Sequence, residues 1–162
     1  MKKRKNNILI YLFAAVALAM ASCNRLPIYS HYEHVGDEGW SRTDTLHFHI
    51  GVKEPGTYNV MLGLRANSSF PYTQIMLVVH SKEMKDKTEQ VDSLLLDITD
   101  TEGHVLGNGI SFYQYNQQLT TVSMQKKDSL FISVSHAMSR MLLPGIVDVG
   151  ITISKTEWGI EN

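Results

Sequence analysis

The strongest constraint on this chain is a two-residue alternation of apolar and polar side chains that dominates everything after the first two dozen residues, with almost no helical periodicity beside it. Val147, Val149, Ile151 and Ile153 alternate with Asp148, Gly150, Thr152 and Ser154. In an extended chain, successive side chains point to opposite faces, so this segment has one apolar face and one polar face. Leu46, Phe48, Ile50 and Val52 repeat the pattern against His47 and His49, and Tyr58, Val60, Leu62 and Leu64 against Asn59, Met61 and Arg65. Leu94, Leu96 and Ile98 predict another strand, and Leu130, Ile132 and Val134 one more opposite Ser133 and Ser135. Residues 75–80 are apolar on both faces, as in a central strand or one covered on each side. Residues 28–35 and 120–124 are weaker strand candidates.

Turn residues separate these runs. They include Gly36-Asp37-Glu38-Gly39, Glu54-Pro55-Gly56, Asn67-Ser68-Ser69, Lys85-Asp86-Lys87, Thr101-Glu102-Gly103 and Lys126-Lys127-Asp128. Pro144-Gly145 sets proline and then glycine where a type II turn needs them, and residues 136–143 predict one helical turn just before it. The expected fold is all-β, a single antiparallel β-sandwich of two packed sheets with about seven to nine strands.

The first residues follow a different rule. Lys2, Lys3, Arg4 and Lys5 form a basic start, residues 8–21 carry no charge, and Ala21-Ser22 precede the only cysteine, Cys23. That order predicts a secretory signal peptide over residues 1–22. Its apolar run is too short to cross ~30 Å of hydrocarbon as a helix. A cysteine directly after the small pair is the residue that bacterial lipoprotein processing acylates, so residues 23–27 are expected to form a lipidated tether. The sandwich would then span 28–155 and a polar tail 156–162, with Trp158 in that tail. From Cys23 to Ile28 the tether reaches roughly 17–20 Å, which keeps the domain near its membrane. The segment Asn24-Arg25-Leu26-Pro27 has no acidic cluster of the kind that marks surface export, which favours a periplasm-facing domain.

Removing residues 1–22 from 162 leaves 140, with 11 basic and 16 acidic residues and a formal charge of −5. A balance of that sign predicts neither nucleic-acid binding nor attraction to an anionic lipid face. With Cys23 lipidated there is no thiol for a disulfide or a metal, so stability must come from the core.

Few residues suggest chemistry. His47 and His49 share a strand face and are the best metal candidates, but zinc needs further ligands, for which His31, His34 or Asp44 would have to fold alongside. A solvated strand face is the expected reading. Asp97, Asp100 and Glu102 with Gly103 miss the EF-hand spacing and read as turn formers. Gly107-Asn108-Gly109-Ile110-Ser111 lacks the small residue that a nucleophile elbow needs, and Ser135 and His136 are strand neighbours on opposite faces. The 107–115 region reads as a flexible loop. Trp40 and the Phe112, Tyr113 and Tyr115 group suggest a sugar or peptide platform, against the expectation that such rings cap the core. No cofactor is expected.

Four strings in order resemble the gliding-motility lipoprotein GldH family of Bacteroidetes. They are Trp40 followed by Asp44 and Phe48; Phe70-Pro71-Tyr72; Asp100, Gly103, Gly107 and Gly109; and Arg140 with Leu143-Pro144-Gly145-Ile146-Val147-Asp148-Val149-Gly150. After Gly109 the sequence departs from the family by running Ile-Ser-Phe-Tyr-Gln-Tyr in place of a more charged segment with tryptophan. The resemblance implies an envelope lipoprotein with no catalytic residues, acting as an accessory or scaffold in gliding machinery linked to type IX secretion. Its implied partners are other envelope lipoproteins or motility and secretion proteins. A carbohydrate-binding lipoprotein is the alternative. Sign and proximity also predict an Arg140–Asp148 pair across the Pro144-Gly145 turn.

Overall fold

The computed structural model describes residues 27–85 and 87–156. Cys23, the predicted signal segment and Trp158 lie outside the described residues. Ten strands follow in order: β1 (Tyr29–His34), β2 (Trp40–Ser41), β3 (Leu46–Gly51), β4 (Gly56–Ala66), β5 (Gln74–Glu83), β6 (Glu89–Asp97), β7 (Tyr113–Met124), β8 (Ser129–His136), β9 (Leu142–Leu143) and β10 (Ile146–Lys155).

Their pairing is that of one long hairpin. β1 pairs with β10, β2 with β9, β3 with β8, β4 with β7 and β5 with β6, all antiparallel. Two further ladders, β10 with β4 and β5 with β8, fold this ribbon into two four-stranded sheets. Their orders are β1-β10-β4-β7 and β3-β8-β5-β6, the double Greek key of a jelly roll. The expected β-sandwich is therefore present, with eight strands in its two sheets and the short β2–β9 pair in addition.

Alternation selects which side chains face inward. Phe48 and Ile50, Val60, Leu62 and Leu64, Ile75 and Leu77, Ile132 and Val134, and Val149, Ile151 and Ile153 are buried between the sheets. Each such side chain contributes ~1.5–3 kcal/mol by leaving water. β5 is central, flanked by β6 and β8, although Met76 and Val78 on its outer side are only half-buried.

Three sequence expectations need correction. Residues 136–143 form no helical turn: His136 ends β8, and Leu142–Leu143 pair with Trp40–Ser41. Two strand residues carry no detectable period, which is why the pair escaped notice. Second, the strand expected at residues 120–124 begins at Tyr113, so part of the presumed loop is ladder. Its register slips between Val60 and Met61, leaving Leu119 as an extra residue, a bulge that bends the edge. Third, Asp148 does not pair with Arg140, which is exposed; Asp148 stands opposite Arg65 in the β10–β4 ladder and bonds to it.

The ladders also give the sandwich two distinct poles. At one, Ile28 N–H donates to the Ile153 carbonyl at 2.9 Å, so the described residues begin here. The β3–β4, β5–β6 and β7–β8 turns lie at the same pole, tied by Val52 N–H to Asp128 O (3.2 Å), Lys127 N–H to Val52 O (3.1 Å) and Met84 N–H to Ser129 O (3.1 Å). The opposite pole carries loops 35–45, 67–73, 98–112 and 137–145 together with β2 and β9. The ten residues of β10, at ~3.3 Å each, place the poles roughly 30 Å apart.

Candidate functional site

Most residues singled out in the sequence converge on the pole far from Ile28. Trp40 is fully buried and its ring meets His136 edge-on at 5.2 Å. Its indole N–H donates to the Asp44 carbonyl at 3.2 Å, tying down the loop that leads into β3. His136 lies between two backbone groups. Its Nδ1 accepts from Met138 N–H at 3.3 Å, which leaves Nε2 to donate to the Trp40 carbonyl at 3.2 Å. Burial holds the His136 pKa below the usual histidine value and Arg42 nearby adds to this, while the Trp40 bond opposes it. Neutral His136 is thus a clamp between β8 and β2.

Phe70 and Tyr72 meet edge to face at 5.7 Å and pack on the same core, with Pro71 exposed between them. Gly145 has φ of +82°, and a side chain there would collide with the Ser69–Phe70 backbone. Its carbonyl accepts from Asn67 N–H at 2.8 Å, so the two loops lie against each other. Only glycine serves both needs. Leu143 and Ile146 are core residues, and Pro144 is half-buried between them.

Asp148 belongs to a network on the outer face of the first sheet that sequence reasoning missed. The Tyr32 ring starts from edge strand β1 and lies across Gly150 of β10 and Gly63 of β4. A Cβ on Gly150 would come within 2.5 Å of the Tyr32 ring carbons, and one on Gly63 would overlap its hydroxyl end. Gln114 of β7 donates to the Tyr32 hydroxyl at 3.0 Å, so this one side chain spans all four strands. The Arg65 guanidinium stacks 4.3 Å from the ring centroid, with Nε donating to Gln114 at 3.0 Å and Nη1 to Asp148 at 3.2 Å. Asp148 also meets His34 Nδ1 at 3.1 Å, and that bond, with a second from Asp37, raises the His34 pKa. A glycine inside each of two strand patterns, Gly63 and Gly150, was the available signal of a close approach.

The other candidates stay apart. His47 and His49 are exposed on the outer face of β3, where His49 stacks on Phe131 at 4.4 Å. No group of three or more histidine, cysteine, aspartate or glutamate side chains that could hold a metal ion occurs among the described residues. Asp100 caps its own turn, accepting from the Glu102 and His104 backbone N–H groups at 2.8 Å each. Those bonds hold its carboxyl below the usual carboxylate range. Tyr115 is buried, with its hydroxyl donating to the Ile98 carbonyl, so neither it nor Trp40 offers a ring to a sugar. Phe112 does remain 52% exposed and Ile110 93% exposed, on a loop beside the 137–145 loop that presents Met141 and Leu142.

The family model described as GldH lipoprotein matches residues 27–153. The chain belongs to the GldH lipoprotein family. Its similarity to "Gliding motility lipoprotein GldH" of Flavobacterium johnsoniae is 25% identity over 162 residues, covering 95% of this chain and 99% of that protein. All four GldH-like strings therefore lie inside the matched segment. Among solved structures, a 4-O-methyl-alpha-glucuronidase of family GH115 is 12% identical with a TM-score of 0.50, over 84% of this chain and 18% of that one. A family 35 carbohydrate binding module from Clostridium thermocellum is 7% identical with a TM-score of 0.39, over 76% of this chain and 89% of the module. The first likeness is one of fold alone, and the second is weaker still.

Proposed function

We propose that this GldH-family chain is a lipid-anchored accessory subunit of the gliding apparatus that captures a partner protein on its far-pole loops. Acylated Cys23 holds the domain to the periplasmic side of the outer membrane, and the work done is localisation and binding. Confinement to a membrane raises the effective concentration of a weak partner without any new contact. Linked type IX secretion components and other envelope lipoproteins are the partner class.

One observation supports this most. Ile110, Phe112, Met141 and Leu142 are exposed at the pole opposite Ile28, the last two on the loop held by buried Trp40, Leu143 and His136 and the first two on the loop tied back by the Asn108–Gln114 and Leu106–Ile98 backbone bonds. A rigid hub beneath exposed apolar side chains is how binding surfaces keep their shape. At roughly 30 Å from the entry pole, the loops face away from the bilayer.

A photo-crosslinking residue at position 112, introduced in cells of the source organism, tests this. The expected result is a discrete crosslinked envelope protein, lost with Ile110→Asp, together with reduced gliding or secretion at normal protein abundance. Recovery of the lipoprotein alone at native expression would defeat the proposal.

A further inference from the structure

The sequence-level charge of −5 concealed a polar division of that charge. Six lysines, Lys53, Lys85, Lys87, Lys126, Lys127 and Lys155, occupy the turns and strand end of the entry pole, and each is exposed. Among the described residues, Glu54 and Asp128 share these turns, and Glu83 and Glu89 end the strands beside them, Glu89 paired with Lys82; Asp86 lies outside the described residues. Glu54 pairs with Lys155 at 3.2 Å, and Asp128 accepts the Gln125 backbone N–H at 2.7 Å. The far-pole loops carry the reverse, with Asp37, Glu38, Asp44, Asp100 and Glu102 against Arg42 and Arg140. Exposed Ile28 and Met84 stand among the lysines.

We infer that the entry pole is a lipid-facing surface, a lysine crown that seats the domain on the anionic phospholipid headgroups of its own membrane. This runs against the expectation drawn from net charge, which averages over a molecule roughly 30 Å long whereas screening acts over ~10 Å. The occupant follows from the position of Ile28 and the short reach from Cys23 to it. The described residues open at this pole, and the five residues from Cys23 to Pro27 reach at most about 18 Å, so an anchored domain meets a bilayer with this end first. Each lysine at an anionic surface strengthens binding about fivefold. The acidic far pole is repelled by the same surface, so charge also sets orientation and points Ile110 and Phe112 outward. The inference builds on the Cys23 anchor but is tested without it.

The experiment is sedimentation of the full mature chain bearing Cys23→Ser with phosphatidylglycerol-containing vesicles or with phosphatidylcholine alone. Partition onto the anionic vesicles, falling about 25-fold in Lys126→Ala with Lys127→Gly, is the expected result. Glycine suits position 127, where φ is +73°, so this pair should not perturb the fold. A circular dichroism spectrum checks that, and Arg42→Ala with Arg140→Ala serves as the far-pole control. Equal partition onto both vesicles, no partition onto either, an equal loss in the control, or release by millimolar inorganic phosphate at constant ionic strength would each overturn the inference. Intact mass of the native protein separates this from the anchor. An unmodified Cys23 with charge-selective binding removes the anchor alone, whereas a lipidated Cys23 with indifferent partition removes the crown alone.

Discussion

The two outer faces of this sandwich are built on opposite plans. On the β1-β10-β4-β7 sheet, Tyr32, Arg65, Asp148, His34 and Gln114 form one connected layer lying on a bed of two glycines. On the β3-β8-β5-β6 sheet the contacts come in separate pairs, such as His49 on Phe131 and Lys82 with Glu89, and Val91 and Leu95 are exposed. A connected layer spanning four strands couples their positions. Isolated pairs couple only neighbours, and exposed ion pairs contribute little. The first face is therefore a structural element of the fold, and the second is surface that tolerates change.

Gly150→Val is the largest test of that contrast. The new side chain enters space filled by the Tyr32 ring, and overpacking of this kind costs ~1–3 kcal/mol, read as a lower denaturation midpoint. The milder Gly150→Ala permits a double-mutant cycle. Its cost should largely disappear in a Tyr32→Ala background. An undiminished cost there means that the ring is not what requires glycine.

Removing one charge from each face comes next in size. Arg65→Ala loses a stacked ring, a hydrogen bond and an ion pair to Asp148, whose side chain is only 19% exposed. The expected loss is ~1–2 kcal/mol, since a half-buried carboxylate keeps fewer partners. Lys82→Ala on the other face should stay within ~0.5 kcal/mol. Equal effects in chemical denaturation would erase the distinction between the faces.

The same contrast marks what could be read from the sequence. Strands such as β3, β8 and β10 were legible because burying one face imposes a two-residue period, and Phe48, Ile132 and Ile151 obey it. The first half of β7 was not, because Gln114, Asn116 and Gln117 disguise an edge strand in which Tyr115 is the one fully buried side chain and Tyr113 packs on the core half-buried. Asp148 was singled out but given Arg140, eight residues away, when its partners Arg65 and His34 lie across ladders. Register is a property of the folded sheet, so a cross-strand neighbour leaves no trace in linear spacing. Trp40 was legible as an aromatic beside a turn. Its role as the buried floor of the far pole depends on Leu143 and His136, which are more than ninety residues distant. The lysines at the entry pole were visible one turn at a time, and only topology brings the turns together.

The smallest effect separates the two faces by their response to pH. His34 bonds to Asp148 and Asp37, and both bonds raise its pKa above the ordinary histidine value of ~6.5. A base whose folded pKa is raised stabilises the fold fully below ~6.5, and that stabilisation is lost as pH rises through the raised value. In the difference between wild type and His34→Asn, the wild-type advantage in melting temperature should be larger near pH ~5.5 than near pH ~8.5. His136 acts with the opposite sign, because its lowered pKa makes stability fall as pH drops below ~6.5, but both chains retain it and it cancels from the difference. Lys82→Ala on the second face, where the Lys82 bond pushes the Glu89 pKa further below an already acid value, should show no such slope between pH ~5.5 and ~8.5. A matching slope there, or a His34 difference that grows with rising pH, would mean that the Asp148 network does not hold the imidazolium on the first face.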